Sequence, residues 1–148
     1  MLRGLQVFVS GIALAGFTLA GAAVASAQEA KPAPVMALEG DAAVITILIK
    51  PDKTADFEKV IAKYRESLEK SENATRKQQL TGMRFFKSPT QAQGNAMYII
   101  YVDAVVKGEE YDITRVVTEV FPTEVQAIYQ LYKDSFAGRQ IIPLNKIQ

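Results

Sequence analysis

The sequence contains no His, Cys or Trp, so acid–base chemistry would fall to Asp, Glu, Lys or Tyr, and the side chains singled out near the sheet are mostly tyrosines. Tyrosine and arginine side chains at the boundary between a sheet and its helices could line a cleft and orient a small apolar molecule. The alternative is that the tyrosines are core residues and that the arginine is an edge-strand charge opposing aggregation. The candidate ligand-binding residues are Tyr64, Arg84, Tyr98, Tyr101, Tyr129 and Tyr132.

The residue types exclude several kinds of site. Metal sites built on imidazole or thiolate are impossible, and a serine nucleophile would have neither a histidine base nor a G-x-S-x-G turn around it. Glycine-rich motifs for dinucleotides or phosphates are absent as well. The acidic group Glu109, Glu110 and Asp112 is expected to be a solvated loop and a helix cap rather than a cation site. We therefore expect no catalytic residue, metal or cofactor, and favour a role without catalysis.

The first 27 residues have the pattern of a signal peptide. Arg3 precedes an apolar, Gly/Ala-rich run that ends near Val24, and Ala25-Ser26-Ala27 supplies a cleavage site. An uncleaved membrane anchor is the alternative, since the run approaches the ~20 residues needed to span a bilayer. The pattern predicts a bacterial protein that is exported to the periplasm or secreted, with no membrane association after cleavage.

Charge and length limit what the rest of the chain can do. The 148 residues carry a formal net charge of +1, so no strong field would recruit nucleic acid or an anionic membrane. Residues 28–40 contain Pro32 and Pro34 and show no periodicity, which predicts a flexible linker. Residues 41–148 are expected to form a single domain.

Two segments are apolar on both faces. One is residues 44–49, in which Thr46 is the only polar residue, and the other is residues 96–102, which contain no charge. A strand that is apolar on both faces is buried on both faces, so it should lie in the middle of a sheet that is covered twice.

Helical spacing of apolar residues appears in two further regions. The first predicts a helix over residues 54–71, capped by Asp52 or Thr54. The second starts at a capping Asp112 and is expected to end at Gly138. Pro122 interrupts it, either as a kink or as the first residue of a new helix.

Two weaker strands complete the pattern. Residues 81–87 predict an edge strand, followed by a hairpin loop over residues 88–95. Residues 141–144 predict a short last strand that Pro143 confines to an edge. Residues 71–79 are polar and could be a helical turn or a loop.

The resulting order, β-α-β-β-α-β, predicts an α+β fold of the ferredoxin-like kind, with a four-stranded antiparallel sheet and helices on one face. That plan places the first and third strands at the centre of the sheet, and these are the two strands that are apolar on both faces. Two independent features of the sequence therefore agree.

Two helices can cover only one face of such a sheet. The other face would carry either Tyr98 and Ile100 or Met97 and Ile99, and both sets are apolar. Exposing either would leave a patch of the size that marks an interface, so we expect a homodimer in which two sheets pack face to face.

This arrangement resembles the dimeric α+β barrel proteins, which include small cofactor-free monooxygenases. The resemblance covers residues 43–147 and rests on the element order, on Ile-Lys-Pro-Asp-Lys over residues 49–53 before a Phe-bearing helix, and on Gly-Met-Arg-Phe-Phe-Lys over residues 82–87 before a hairpin. It implies the fold and the dimer. The His and Trp on which haem-degrading members rely are absent, so no catalytic residue carries over.

Two functions follow from these patterns. The first is an exported domain that associates with itself or with another protein and catalyses nothing. The second is a binder of a small apolar or aromatic molecule, or a cofactor-free monooxygenase-like enzyme, with its pocket between the sheet and the helices.

Overall fold

The computed structural model describes residues 31–147. The predicted signal peptide and the first residues of the predicted linker lie outside this range. The described elements are β1 (Ala42–Ile49), α1 (Thr54–Lys70), α2 (Ala74–Gly82), β2 (Met83–Lys87), β3 (Ala96–Asp103), α3 (Ile113–Val120), α4 (Val125–Ser135) and β4 (Phe136–Leu144).

The four strands form one antiparallel sheet in the order β2-β3-β1-β4. The predicted α+β class is therefore confirmed. The strands that are apolar on both faces, β1 and β3, lie at the centre, and the two weaker strands lie at the edges. The hydrophobic pattern of each strand thus correctly indicates its place in the sheet.

One face of the sheet is packed against the helices. Alternate residues of β1 and β3 point to this side, and Ile45, Ile47 and Ile49 are at most 2% exposed. Helix α1 supplies Phe57 and Val60, which are completely buried. Helices α1, α3 and α4 pack together over this face and close the core.

The sequence pattern allowed residues 71–79 to be either a helical turn or a loop. In the structure helix α2 begins within this segment, at Ala74. Asn73 caps α2 by accepting a hydrogen bond from the Thr75 backbone N–H at 2.9 Å. The helix continues to Gly82, so β2 starts at Met83 and not at Thr81. The predicted strand was two residues too long because α2 uses them in its last turn.

The second helical region ends at Ser135, three residues before Gly138, where the sequence pattern placed its end. Helix α3 stops at Val120, and α4 starts at Val125, so Pro122 lies in the break between two helices. Gly138 belongs to β4 and pairs with Leu48, so the prediction that it closes a helix is wrong. Phe136 continues the helical spacing of α4 in the sequence, but pairing with the free edge of β1 converts this segment into a strand.

One predicted helix cap is confirmed and the other is wrong. Asp112 caps α3 by accepting a hydrogen bond from the Arg115 backbone N–H at 3.0 Å. Neither Asp52 nor Thr54 caps α1, because residues 51–53 form a turn of 3₁₀-helix that leads directly into it. Within that turn the Lys53 backbone N–H donates to the Lys50 carbonyl at 2.9 Å, so a helical turn and not a capping side chain precedes α1.

Residues 31–40 contain no helix or strand, but they do not form a free tether throughout. Met36 and Leu38 are buried, and the Tyr111 backbone N–H donates to the Met36 carbonyl at 2.8 Å. The Glu110 carboxylate accepts from the backbone N–H groups of Val35 at 2.6 Å and Met36 at 2.9 Å. We call residues 35–38 the N-terminal arm. Glu110 fastens this arm to the loop before α3.

No helix within residues 31–147 combines the length and the apolar character that crossing a membrane would require.

The arm should loosen when the Glu110 carboxylate is removed. We expect Glu110→Gln to destabilise the fold by about 1–3 kcal/mol, because buried hydrogen bonds to a charged acceptor are lost. Faster hydrogen exchange at Met36 and Leu38, together with a lower midpoint in urea, would show the effect. Glu72→Gln, at an exposed carboxylate, is the control. Unchanged exchange in the arm would contradict this role of Glu110.

The same carboxylate should make stability depend on pH. Burial opposes its ionisation, but hydrogen bonds from the backbone of Asp112, Val35, Met36 and Tyr111 lower the pKa of Glu110 below the ordinary 4.5. A lowered folded-state pKa gives stability that is present above pH 4.5 and is lost as pH falls through the lowered value. Urea midpoints measured between pH 7 and 3 should fall more steeply for the native sequence than for Glu110→Gln, and parallel curves would contradict this.

Candidate functional site

The six candidate residues do not meet at one site. Tyr64 is 1% exposed, and its hydroxyl donates to the Tyr111 carbonyl at 3.2 Å. Burial raises the pKa of Tyr64, so this side chain stays neutral in the core. Arg84 lies at the surface and donates to the carbonyls of Thr81 and Met83, each at 2.8 Å. Tyr64 is therefore a core tyrosine, and Arg84 fastens the start of β2.

The remaining candidates lie in three places. Tyr98 lies on the helix-covered face of the sheet, and Tyr101 lies on the opposite face, where its hydroxyl is 3.5 Å from Asp103. Tyr129 and Tyr132 belong to α4 and line a separate concavity beside β4. Asp103, at the end of β3, forms an ion pair with Lys146 at 3.4 Å.

The side of the sheet opposite the helices is left partly exposed by the described residues. We call it the open face. The strand registers bring Thr46 opposite Ile99 on one side and Gln140 on the other, and Phe86 lies next to Ile99. The strand residues on the open face are Ala42, Val44, Thr46, Leu48, Arg84, Phe86, Met97, Ile99, Tyr101, Asp103, Gly138, Gln140, Ile142 and Leu144.

Most of the open face is apolar and accessible to water. Phe86 is 55% exposed, and Ile142 and Leu144 are among the other exposed large hydrophobic residues of the protein. The largest contiguous apolar patch on the surface of a protein is often functional. The face is therefore a candidate interaction surface.

A second feature is a cleft between α1 and the β2–β3 pair, with a volume of about 200 Å³. Its apolar wall includes Ile61, Phe85 and Ile100. At its polar end Glu58 accepts hydrogen bonds from the Tyr98 hydroxyl at 2.8 Å and from Lys87 Nζ at 2.7 Å. The cleft thus combines an apolar wall with a neutralised cluster of three polar groups.

The charges in this cluster stabilise one another. The hydrogen bonds from Lys87 and then Tyr98 lower the pKa of Glu58, and Glu58 in turn raises the pKa of Lys87. Burial, followed by the hydrogen bond to Glu58, raises the pKa of Tyr98. At neutral pH Tyr98 is therefore a hydrogen-bond donor, and it is poorly suited to act as a base.

Arg76 is the main buried charge that sequence reasoning did not identify. It is 1% exposed, and its Nε and Nη2 donate to the two carboxylate oxygens of Glu119. Its Nη1 donates to Gln79 Oε1 at 2.8 Å and to the Glu110 carbonyl at 3.0 Å. These bonds join α2, α3 and the loop between β3 and α3, so Arg76 has a structural role and its donors are occupied.

The acidic residues before α3 also form hydrogen bonds or ion pairs within the fold. Glu110 holds the N-terminal arm, and Asp112 caps α3. Glu109 lies 3.6 Å from Arg76. The described part of the chain contains no group of three or more acidic side chains arranged to hold a metal ion.

Comparison with models of known protein families, with curated protein sequences and with solved structures finds no significant match.

Removal of the Glu58 charge should lower the pKa of Tyr98. In Glu58→Gln the acceptor charge that opposes ionisation is gone, while the positive charge of Lys87 remains. Carbon NMR titration of ring-labelled tyrosine should show the Tyr98 signal titrating at lower pH than in the native protein. The control is Glu66→Gln, which lies about 12 Å further along α1 and pairs with Lys63 and Lys70. An unchanged Tyr98 titration in Glu58→Gln would contradict the assigned contact.

Proposed function

We propose that the protein is an exported, self-associating domain without catalytic activity, in which the open faces of two copies pack against each other. The apolar, water-accessible open face carries this proposal. Four strands about 4.8 Å apart, of which the two central ones have eight residues, give a face on the order of 500 Å². That area is comparable to the largest apolar patch of a typical monomer, which is often functional.

The charges on the open face support a second copy as the occupant. Among its strand residues Arg84 and Asp103 are charged, with opposite signs, and Asp103 pairs with Lys146 at 3.4 Å. A two-fold axis places the same surface on both sides of an interface. Because the face carries so little charge and both signs are present, two copies would not repel each other.

The finer description of the fold belongs to the same proposal. A ferredoxin-like plan is supported by the central position of β1 and β3 and by helices on one face of the sheet. A dimeric α+β barrel would then follow from two such sheets packing face to face. Helix α2 and the break between α3 and α4 are additions to the simple βαββαβ order.

Neighbouring residues of β3 provide a direct test. Ile99 lies on the open face, and Ile100 lies in the core, where it is 3% exposed. The mature native protein should sediment with twice the monomer mass, and Ile99→Glu should give a folded monomer. Ile100→Glu should instead unfold the domain, because it buries an unpaired charge. Gln126→Glu, with the same charge change at an exposed position of α4, should remain dimeric.

Two results would overturn the proposal. A native protein that stays monomeric over the accessible concentration range would show that the open face is not used between copies. A dimer that survives Ile99→Glu would show that a different surface joins the two copies.

Mass spectrometry of the protein exported by a bacterial host would locate its N-terminus, for which the sequence predicts Gln28.

The cleft beside Tyr98 supports a second candidate function, the binding of a small apolar molecule between the sheet and α1. Its apolar wall and single polar end are typical of ligand sites, although about 200 Å³ is small for one. Thermal-shift screening with neutral one-ring compounds should then raise the melting temperature. The increase should disappear in Ile61→Trp, which fills the cleft, while the sedimentation of this variant stays that of the native protein.

A further inference from the structure

A concavity of about 230 Å³ lies where α4 meets β4. We call it the aromatic cup, and it is lined by Tyr129, Tyr132, Lys133, Phe136 and Arg139. None of these residues belongs to the open face or to the cleft beside Tyr98. The cup is therefore a third feature, independent of both surfaces discussed above.

The chain builds the cup from one helix face and the strand that follows it. Tyr129, Tyr132 and Lys133 are three and four residues apart, so they lie on the same side of α4. The ring of Phe136 stands nearly perpendicular to that of Tyr132, at 78° and with 5.6 Å between the centroids. Arg139 pairs with Ile47 on the helix-covered side of the sheet, and this position brings it beside the rings.

Two positive charges border the rings without a carboxylate partner among residues 31–147. Neither Lys133 nor Arg139 forms an ion pair there, whereas Lys87 and Arg76 each do. Burial raises the pKa of Tyr132, and the positive charge of Arg139 opposes this rise. Arg139 is therefore close to the Tyr132 hydroxyl.

The nearby carboxylates of Asp134 and Asp112 accept hydrogen bonds from groups outside the cup. Asp134 Oδ1 accepts from Gln130 Nε2 at 2.8 Å. Asp112, whose charge acts on Tyr132 through space, accepts from the Arg115 backbone N–H at the start of α3. Neither carboxylate lies within ion-pair distance of Arg139 or Lys133 in the described structure. The cup thus retains positive charge at its rim.

Stabilisation of the fold explains only part of this arrangement. Lys133 lies in the last turn of α4, where a positive charge interacts favourably with the helix dipole. This explanation does not apply to Arg139, which lies on a strand. It also does not explain why Tyr129, 43% exposed, and Phe136, 37% exposed, present their rings to water.

We propose that the aromatic cup binds a small aromatic monocarboxylate, whose ring packs against Tyr129, Tyr132 and Phe136 and whose carboxylate bonds to Arg139. A planar guanidinium can donate two parallel hydrogen bonds to one carboxylate, and Lys133 adds a second positive charge. The volume of about 230 Å³ is below the range of drug-sized sites, so the ligand is a molecule with one ring.

Titration with benzoate and benzamide tests the proposal, because the two share a ring and differ in charge. Benzoate should shift the NMR signals of Tyr129, Tyr132 and Phe136 in the mature protein, with a Kd on the order of 1 mM. Benzamide should bind about tenfold more weakly. Arg139→Gln should remove this difference, and Arg115→Gln, at another arginine without an ion pair among residues 31–147, should retain it. Raising the salt concentration should weaken benzoate more than benzamide.

Several outcomes would overturn the proposal. Equal binding of benzoate and benzamide would show that the cup is only an apolar surface. Benzoate affinity that survives Arg139→Gln, or shifts confined to Tyr98, would place the ligand elsewhere. Absence of any shift up to about 20 mM benzoate would rule out a site of useful affinity. A change in sedimentation caused by Arg139→Gln would show that a second copy of the chain occupies the cup.

Discussion

The structure depends on the pairing of β1 with β3 at the centre of the sheet. Eight successive residue pairs join these strands, and both strands are apolar on both sides. Apolar side chains on both sides need cover from water, and the helices provide it on one side, where Ile45 and Ile47 are buried. On the other side Leu48 and Ile99 are only partly buried within the described chain. The same sequence feature that holds the sheet together therefore also creates the open face.

The sequence predicts the central strands well because their signal is local. A run of apolar residues on both faces has few alternatives to a buried strand. The start of β4 had no such signal: residues 136–140 include Gly138 and two polar side chains, and Phe136 fits the helical spacing of α4. Pairing with β1, which is more than 80 residues distant along the chain, decides this segment, and a distant contact overrides local preference.

The candidate site shows the same limit at the level of single side chains. Tyr98 and Tyr101 are equally prominent in the sequence, but an odd separation along a strand places them on opposite faces. Which face the helices would cover depends on packing that no local pattern contains. The buried position of Arg76 was equally unpredictable, because α2 has a polar sequence and Arg76 is buried through its contacts with Glu119 and the Glu110 carbonyl.

The charged residues that stabilise this fold are buried and hydrogen-bonded, whereas the surfaces left for a partner are exposed. Arg76 and Glu110 are buried, and their donors and acceptors are committed to the backbone and to other side chains. Replacing either would therefore disturb the fold before it disturbed any function. The open face carries almost no charge, and the aromatic cup carries the positive charge of Arg139 without a paired acid in the described chain. Neither surface is explained by internal stability, because exposed rings and unpaired cations contribute little to it.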